Sequence, residues 1–247
     1  LYAFFASVLD AGDEVIIPEP SFVCYEPLTV MADGVPVIIN TKNEDNFRLK
    51  ASDLRAAITP KTKLLVLPFP NNPTGAIMER EDLEEIAEVI KEHNIFILSD
   101  EIYCELTYGN KNHVSIAEID GMYERTIVVN GFSKSYAMTG WRLGYALGPV
   151  PVIAQMTKLH QYGIMSAPTT AQYAAIEALR QPVQKARTEI AAPAQFLSQF
   201  DAVLRLEMAA RQIRRARKRD EGRLAAVEHG IDGVAQGRMQ RPVPVQG

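Results

Sequence analysis

The chain has 247 residues, 47% of them hydrophobic and 23% charged, which suits one well-filled core with a small appendage. Its net charge of −4 gives no overall pull toward nucleic acid or a membrane surface, so a small anionic ligand needs a local site. Cys24 and Cys104 lack metal or redox spacing and read as reduced thiols of a cytosolic protein; no apolar run has the length of a membrane span or the shape of a signal peptide.

Leu1 to Leu9 is apolar at helical spacing and stops at Asp10-Ala11-Gly12-Asp13, which hands over to a strand from Glu14 to Ile17. The pattern is already under way at Leu1 without an initiator methionine, and this predicts a fragment of a longer polypeptide. Pro18 and Pro20 force an extended exit from the strand that aims Phe22 and Tyr25 from a loop, before a helix over Tyr25 to Ala32. Val35 to Ile39 predicts a second strand. Asn40 to Arg48 is a polar connection, followed by a short helix over Ser52 to Ile58 with Ser52 as its N-cap.

Lys63 to Leu67 predicts a third strand, ending in the turn-rich loop Pro68 to Gly75. An amphipathic helix follows over Glu79 to His93, with Leu83, Ile86, Ala87 and Ile90 on one side. Ile95 to Leu98 is a nearly all-apolar strand running into Ser99-Asp100-Glu101, and Thr126 to Val129 is another. Strands apolar on both faces, alternating with amphipathic helices, predict an α/β fold: a mostly parallel sheet sandwiched between helices. Such a sheet carries functional loops at the carboxyl ends of its strands, where the Asn72 loop, Asp100 and the Lys134 turn all fall.

Beyond that turn a strand is expected over Leu143 to Leu147, then a helix over Val150 to His160, a polar turn over Gln161 to Pro168 and a helix over Thr169 to Leu179. Past Arg180 the character changes. Arginines crowd from Arg205 to Arg219, no aromatic residue follows Phe200, and no strand is expected to extend the core. Residues 1–180 therefore read as one large domain and 181–247 as a divergent, arginine-rich, helical or disordered tail. The tail also admits reading as a frameshifted or chimeric segment. It has no interleaved aromatics of the kind a nucleic-acid arm uses.

The chemistry concentrates in Asn130-Gly131-Phe132-Ser133-Lys134, with Arg142 eight residues after the lysine. A lysine in a turn between two strands, partly desolvated by Phe132, Tyr136 and Trp141 and close to Arg142, is a candidate nucleophile toward a carbonyl, with a Schiff base as product. Asp100, at the end of a buried strand, needs a cation or a donor, and a protonated pyridine nitrogen would serve; the ordinary alternative is a cap on the following helix. Tyr103 and Asn72 can both reach a phenolic oxygen, or be a half-buried tyrosine and a turn asparagine. Arg142 offers a planar fork to a phosphate dianion with Ser133 as an added donor, or it pairs with a carboxylate. Phe22 either lies on a ring face or fills core. His93, His113, His160 and His229 are scattered, so no metal site is expected, and nucleotide-loop and hydrolase motifs are missing.

Four segments, Pro20-Ser21-Phe22, Asn72-Pro73-Thr74-Gly75, Ser99-Asp100-Glu101-Ile102-Tyr103 and the Lys134 signature, occur together and in order. In this the chain resembles the class I/II, fold-type I, pyridoxal-phosphate-dependent aminotransferases, most nearly the archaeal and bacterial aspartate or aromatic branch. The resemblance runs from Leu1 to about Arg180. It implies pyridoxal 5'-phosphate as cofactor, joined to Lys134, which also shuttles the proton. It implies that Asp100 pairs with the pyridine nitrogen and that Tyr103 and Asn72 bind the phenolic oxygen. Arg142 and Ser133 would hold phosphate, Phe22 would stack on the ring, and Asn72 would also lie beside the substrate carboxylate.

The activity so implied moves an amino group between an amino acid and a 2-oxo acid in a cytoplasmic homodimer of amino acid metabolism, with neither nucleic acid nor membrane as partner. A beta-eliminating lyase or decarboxylase of the same fold, or an inactive fragment, stays open as an alternative. Compared with the family, the N-terminal segment with its phosphate cup would precede Leu1. The small domain with its carboxylate-binding arginine is not recognisable in 181–247, and Gly131 stands where some members use serine.

Overall fold

A computed structural model describes residues 1–108 and 111–180, and the backbone of 224–227. Seven strands form one sheet in the order β2-β1-β3-β4-β5-β6-β7: β1 (Glu14–Glu19), β2 (Val35–Asn40), β3 (Thr62–Leu67), β4 (Phe96–Asp100), β5 (Thr126–Gly131), β6 (Gly144–Pro149) and β7 (Leu224–Val227). The first five run parallel; β6 returns antiparallel to β5, and β7 pairs antiparallel with β6. The mostly parallel sheet is as expected. The strand beyond Arg180 is a correction: Ala146 pairs with Val227 and Pro149 with Leu224. The small, apolar run Leu224-Ala225-Ala226-Val227 is short enough to escape notice among its charged neighbours. The rest of the 181–247 tail lies outside the described residues.

Period-two alternation sends the side chains of each strand to two helix layers. On one face Ile16, Leu65, Leu67 and Ile97 pack against Leu54 of α3 (Ala51–Ala57) and against Leu83, Ile86, Ala87 and Ile90 of α4 (Arg80–Lys91). On the other, Val15, Ile17, Leu64, Val66, Leu98 and Ile127 meet Phe4 and Phe5 of α1 (Tyr2–Val8), Tyr25 of α2 (Tyr25–Met31) and Val152 of α5 (Val150–Gly163). A third cluster joins Phe132, Tyr136, Met138 and Leu143 to Ala171 and Ala175 of α6 (Thr169–Arg180). Phe4 and Phe5 are wholly buried, and each such side chain contributes about 1.5–3 kcal/mol.

Two local expectations change. Strand β1 does not end at Ile17 but runs through Pro18 to Glu19, pairing with Ile39 and Asn40. The register with β3 stops at Ile16, so Pro18 has no ladder partner on that side to miss its N–H. Helix α3 starts at Ala51 with Lys50 as its N-cap, so Ser52 lies inside the first turn and does not cap it. No described helix is long and apolar enough to cross a membrane.

Candidate active site

Because β3, β4 and β5 are neighbours and parallel, their carboxyl ends share one edge of the sheet. The Asn72 loop leaves β3, Asp100 closes β4 and the Lys134 turn leaves β5. Residues separated widely along the chain are thus gathered by strand order alone. Asp100 stands beside Val129 in the β4–β5 register, and the Glu101 N–H donates to the Val129 carbonyl at 2.8 Å.

Asp100 is 8% exposed. Its Oδ2 accepts from the Tyr25 hydroxyl at 2.9 Å and its Oδ1 from the Ile102 N–H at 3.3 Å, so it closes a turn, and among the described residues no helix follows directly for it to cap. Burial pushes its carboxyl above the usual carboxylate range, while the Tyr25 and Ile102 donors pull the other way. The Tyr25 phenol is pushed up in turn, by burial first and then by the Asp100 charge. The nearby Cys24 thiol is pushed up to about 11 for the same two reasons, which leaves it a poor nucleophile. Both cysteines are half-buried and neither forms a disulfide.

Tyr25 is the residue of the candidate site to which the sequence assigned no partner. Asp100 visibly needed a donor, but the sequence offered only Tyr25's helical spacing from Phe22, with nothing to say which strand end it would face. Tyr25 opens the helix expected from it and is 3% exposed, so that its ring is carried by α2 and not by the loop that carries Phe22. Phe22 lies edge-on to the Tyr25 ring, centroids 6.4 Å apart, and is 47% exposed.

The turn after β5 is closed on itself. Thr139 Oγ1 donates to the Ser133 carbonyl at 2.8 Å, the Met138 N–H to the Phe132 carbonyl at 3.1 Å, and Arg142 Nη1 to the Thr139 carbonyl at 3.0 Å. Ala137 and Arg142 take left-handed backbone with φ of 50° and 53°, conformations that non-glycine residues adopt at a cost. At its base Gly131 faces Gly144, and a Cβ on Gly131 would lie 3.0 Å from the Gly144 Cα and the Leu143 carbonyl oxygen. Glycine at position 131 thus lets two backbones approach closely, and a side chain there would push them apart by a few tenths of an ångström.

Lys134 departs from its expected surroundings. It is exposed, and Phe132 and Tyr136 do not desolvate it: their rings, 4.9 Å apart, turn down into the third core cluster, and Trp141 is 46% exposed. The apolar side chains of this turn are needed to anchor it. Among the described residues the ring beside the amine is that of Tyr103, whose centroid is 5.2 Å from Nζ, within cation–π range. Arg142 is exposed and pairs with no carboxylate among the described residues.

Asn71, not singled out from sequence, is the turn asparagine of its loop. It is buried, and its Oδ1 accepts from the Thr74 N–H at 3.2 Å and the Thr74 hydroxyl at 2.8 Å. Asn72 is thereby left half-buried at the strand edge, with its amide making no hydrogen bond to the described residues.

The donor set is a buried carboxylate with no side-chain cation bonded to it among the described residues, an accessible primary amine over a phenol, an amide unpaired among those residues and an accessible guanidinium. It fits a ligand with a basic ring nitrogen, an aldehyde, a ring hydroxyl and an anionic group.

A family model described as aminotransferase class I and II matches residues 1–220, running on past Arg180, where the local motifs end. The aspartate aminotransferase of Pyrococcus abyssi (strain GE5 / Orsay) is 47% identical over 175 residues, covering 71% of this chain and 45% of that protein. The aromatic-amino-acid aminotransferase 2 of Thermococcus litoralis is 46% identical over 189 residues, covering 74% and 49%. The crystal structure of an aromatic aminotransferase from Pyrococcus horikoshii OT3 superimposes with a TM-score of 0.71 at 46% identity, covering 73% of this chain and 48% of that one. The chain spans about half the length of the curated relatives it matches.

Proposed function

From the premise that the chain belongs to the class I and II aminotransferases, we propose that it carries the pyridoxal-phosphate site of a transaminase, moving an amino group between an amino acid and a 2-oxo acid. Residues 1–180 are read as the cofactor-binding large domain. The observation that carries the reading is the placement of Lys134 Nζ over the Tyr103 ring at 5.2 Å, on the strand next to the one that ends in the buried Asp100.

Pyridoxal phosphate, when bound, supplies an electron-poor ring that accepts the electron pair left at an amino acid's alpha carbon. Lys134 Nζ is the amine that would hold the aldehyde and that takes the alpha proton and returns it. Asp100 would hold the ring nitrogen's charge, and Tyr25 keeps that carboxylate oriented. Tyr103 and the free amide of Asn72 would hold the ring hydroxyl, with Asn72 also beside the substrate carboxylate. Arg142 and Ser133 would hold the phosphate, and Phe22 would cover a ring face.

The names of the relatives make aspartate and the aromatic amino acids the first donors to test. On the family premise the proposal extends to a homodimer acting in the cytoplasm in amino acid metabolism. The test is a visible spectrum with and without added pyridoxal phosphate on the chain and on Lys134→Ala, followed by assay with paired amino and oxo acids. A yellow adduct that requires Lys134, with amino transfer between the pair, is expected. An adduct indifferent to Lys134, or ammonia release without transfer, would overturn the reading.

A further inference from the structure

A buried polar assembly lies on the face of β4 opposite Asp100. Leu98 and Asp100 face α1 and α2, whereas Ile97 and Ser99 face the α4 layer, and Glu101 continues that second face. Glu101 is 6% exposed. Its Oε1 accepts from the Ser99 hydroxyl at 2.8 Å and from the Ser115 hydroxyl at 2.6 Å, and its Oε2 lies 3.0 Å from His113 Nε2. Ser99 precedes and Ser115 follows the excursion of the chain that carries Tyr103. One carboxylate therefore closes both ends of that excursion, and His113 lies against its second oxygen, where it supplies the counter-charge when protonated.

We propose that Glu101 and His113 are positioning residues for the site, a clamp that holds together the described flanks of the excursion, residues 102–108 and 111–114, so that the Tyr103 ring stays beneath the Lys134 amine. The proposal rests on Lys134 and Tyr103 being cofactor-site residues. The reasoning is one of desolvation. A buried carboxylate that loses its counter-charge must regain water, and water reaches it only if the 111–115 segment lifts away. Lifting frees the downstream end of the excursion. The upstream end is then held by the Ser99 bond, by the Glu101 N–H on the Val129 carbonyl at 2.8 Å, by the Asn130 amide on Cys104 Sγ at 3.2 Å and, next to Tyr103, by the Ile102 N–H on Asp100, at 3.3 Å the longer of the two bonds to that carboxylate. Tyr103 follows directly.

The test compares the chain with His113→Ala, His113→Gln and Glu101→Gln. Amide hydrogen exchange without cofactor should rise about tenfold over Ile102–Thr107 in His113→Ala while α4 keeps its protection, and His113→Gln, which retains a donor, should restore most of it. With pyridoxal phosphate added, the pH midpoint of the visible absorption change should shift in His113→Ala and Glu101→Gln. Exchange that rises equally in α4, or not at all over Ile102–Thr107, or a glutamine variant no better than alanine, would overturn the clamp. So would an unmoved midpoint in variants that take up the cofactor. A wild-type chain that takes up no pyridoxal phosphate would sink the functional reading instead, and exchange would still decide whether the clamp exists.

Discussion

The Tyr25 hydroxyl donates to Asp100 at 2.9 Å across 75 positions of sequence, joining the first turn of α2 to the end of β4. This bond makes the buried carboxylate tolerable without a bound cation. In Tyr25→Phe, Asp100 keeps only the Ile102 N–H, and urea unfolding should show a loss of about 1–2 kcal/mol. Pyridoxal phosphate should also be held more weakly. Unchanged stability would mean that water replaces the phenol.

Asp100→Asn separates stability from function. The folded state raises the Asp100 pKa, chiefly through burial. Its contribution to stability is therefore full below the unfolded value of about 3.9 and is lost as pH rises through the folded value. At neutral pH the chain bears a cost that asparagine does not carry, whether as a buried charge or as a proton held above its usual range. Without cofactor the variant should gain about 1 kcal/mol in urea unfolding at pH 7, yet bind pyridoxal phosphate about tenfold less tightly. A loss of stability at pH 7 would count against the desolvation account.

Gly131→Ala should destabilise the chain by about 1–3 kcal/mol, since the added Cβ meets backbone on the facing strand and not a side chain that can swing aside. The β5–β6 pairing at Gly131 and Gly144 would have to spread, displacing the Lys134 turn. Thermal unfolding measures the first effect, and the extent of pyridoxal phosphate uptake the second.

The neighbouring asparagines should divide cleanly. Asn71→Ala strips the Thr74 N–H and hydroxyl of their acceptor and should cost about 1–3 kcal/mol. Asn72→Ala breaks no hydrogen bond among the described residues. It should alter stability by less than about 0.5 kcal/mol while reducing affinity for pyridoxal phosphate or for a dicarboxylic amino acid. Equal unfolding midpoints for the two variants would contradict this division.

The Glu101–His113 pair gives a pH signature. Burial pushes Glu101 up, but the His113 charge and the Ser115 and Ser99 donors outweigh it and hold the carboxyl below the usual range. Burial pulls His113 down, but Glu101, with Glu118 and Glu105 adding, outweighs it and raises the imidazole. The Glu101 contribution is thus present above about pH 4.3 and is lost as pH falls through its lowered value. That of His113 is full below about pH 6.5 and is lost as pH rises through its raised value. Thermal unfolding followed against pH should peak between those limits. His113→Gln should flatten the alkaline side, and an alkaline side identical to wild type would show the pair to be uncharged.

The sequence by itself determined what local periodicity and local chemistry dictate. Leu83, Ile86, Ala87 and Ile90 fall on one side of a helix whatever lies opposite, and Leu64 to Leu67, apolar on both faces, suits only the interior of a covered sheet. The Lys134 signature was legible for the same reason, because the amine, the glycine below it and Arg142 lie within one turn. What tertiary structure alone decided are pairings across long stretches of chain: Tyr25 with Asp100, Ser115 and His113 with Glu101, Leu224–Val227 beside β6. It also reversed the surroundings of Lys134. An aromatic side chain near a lysine in sequence can turn either toward the amine or into the core, and Phe132 and Tyr136 turned inward because α6 offers them apolar surface that water does not.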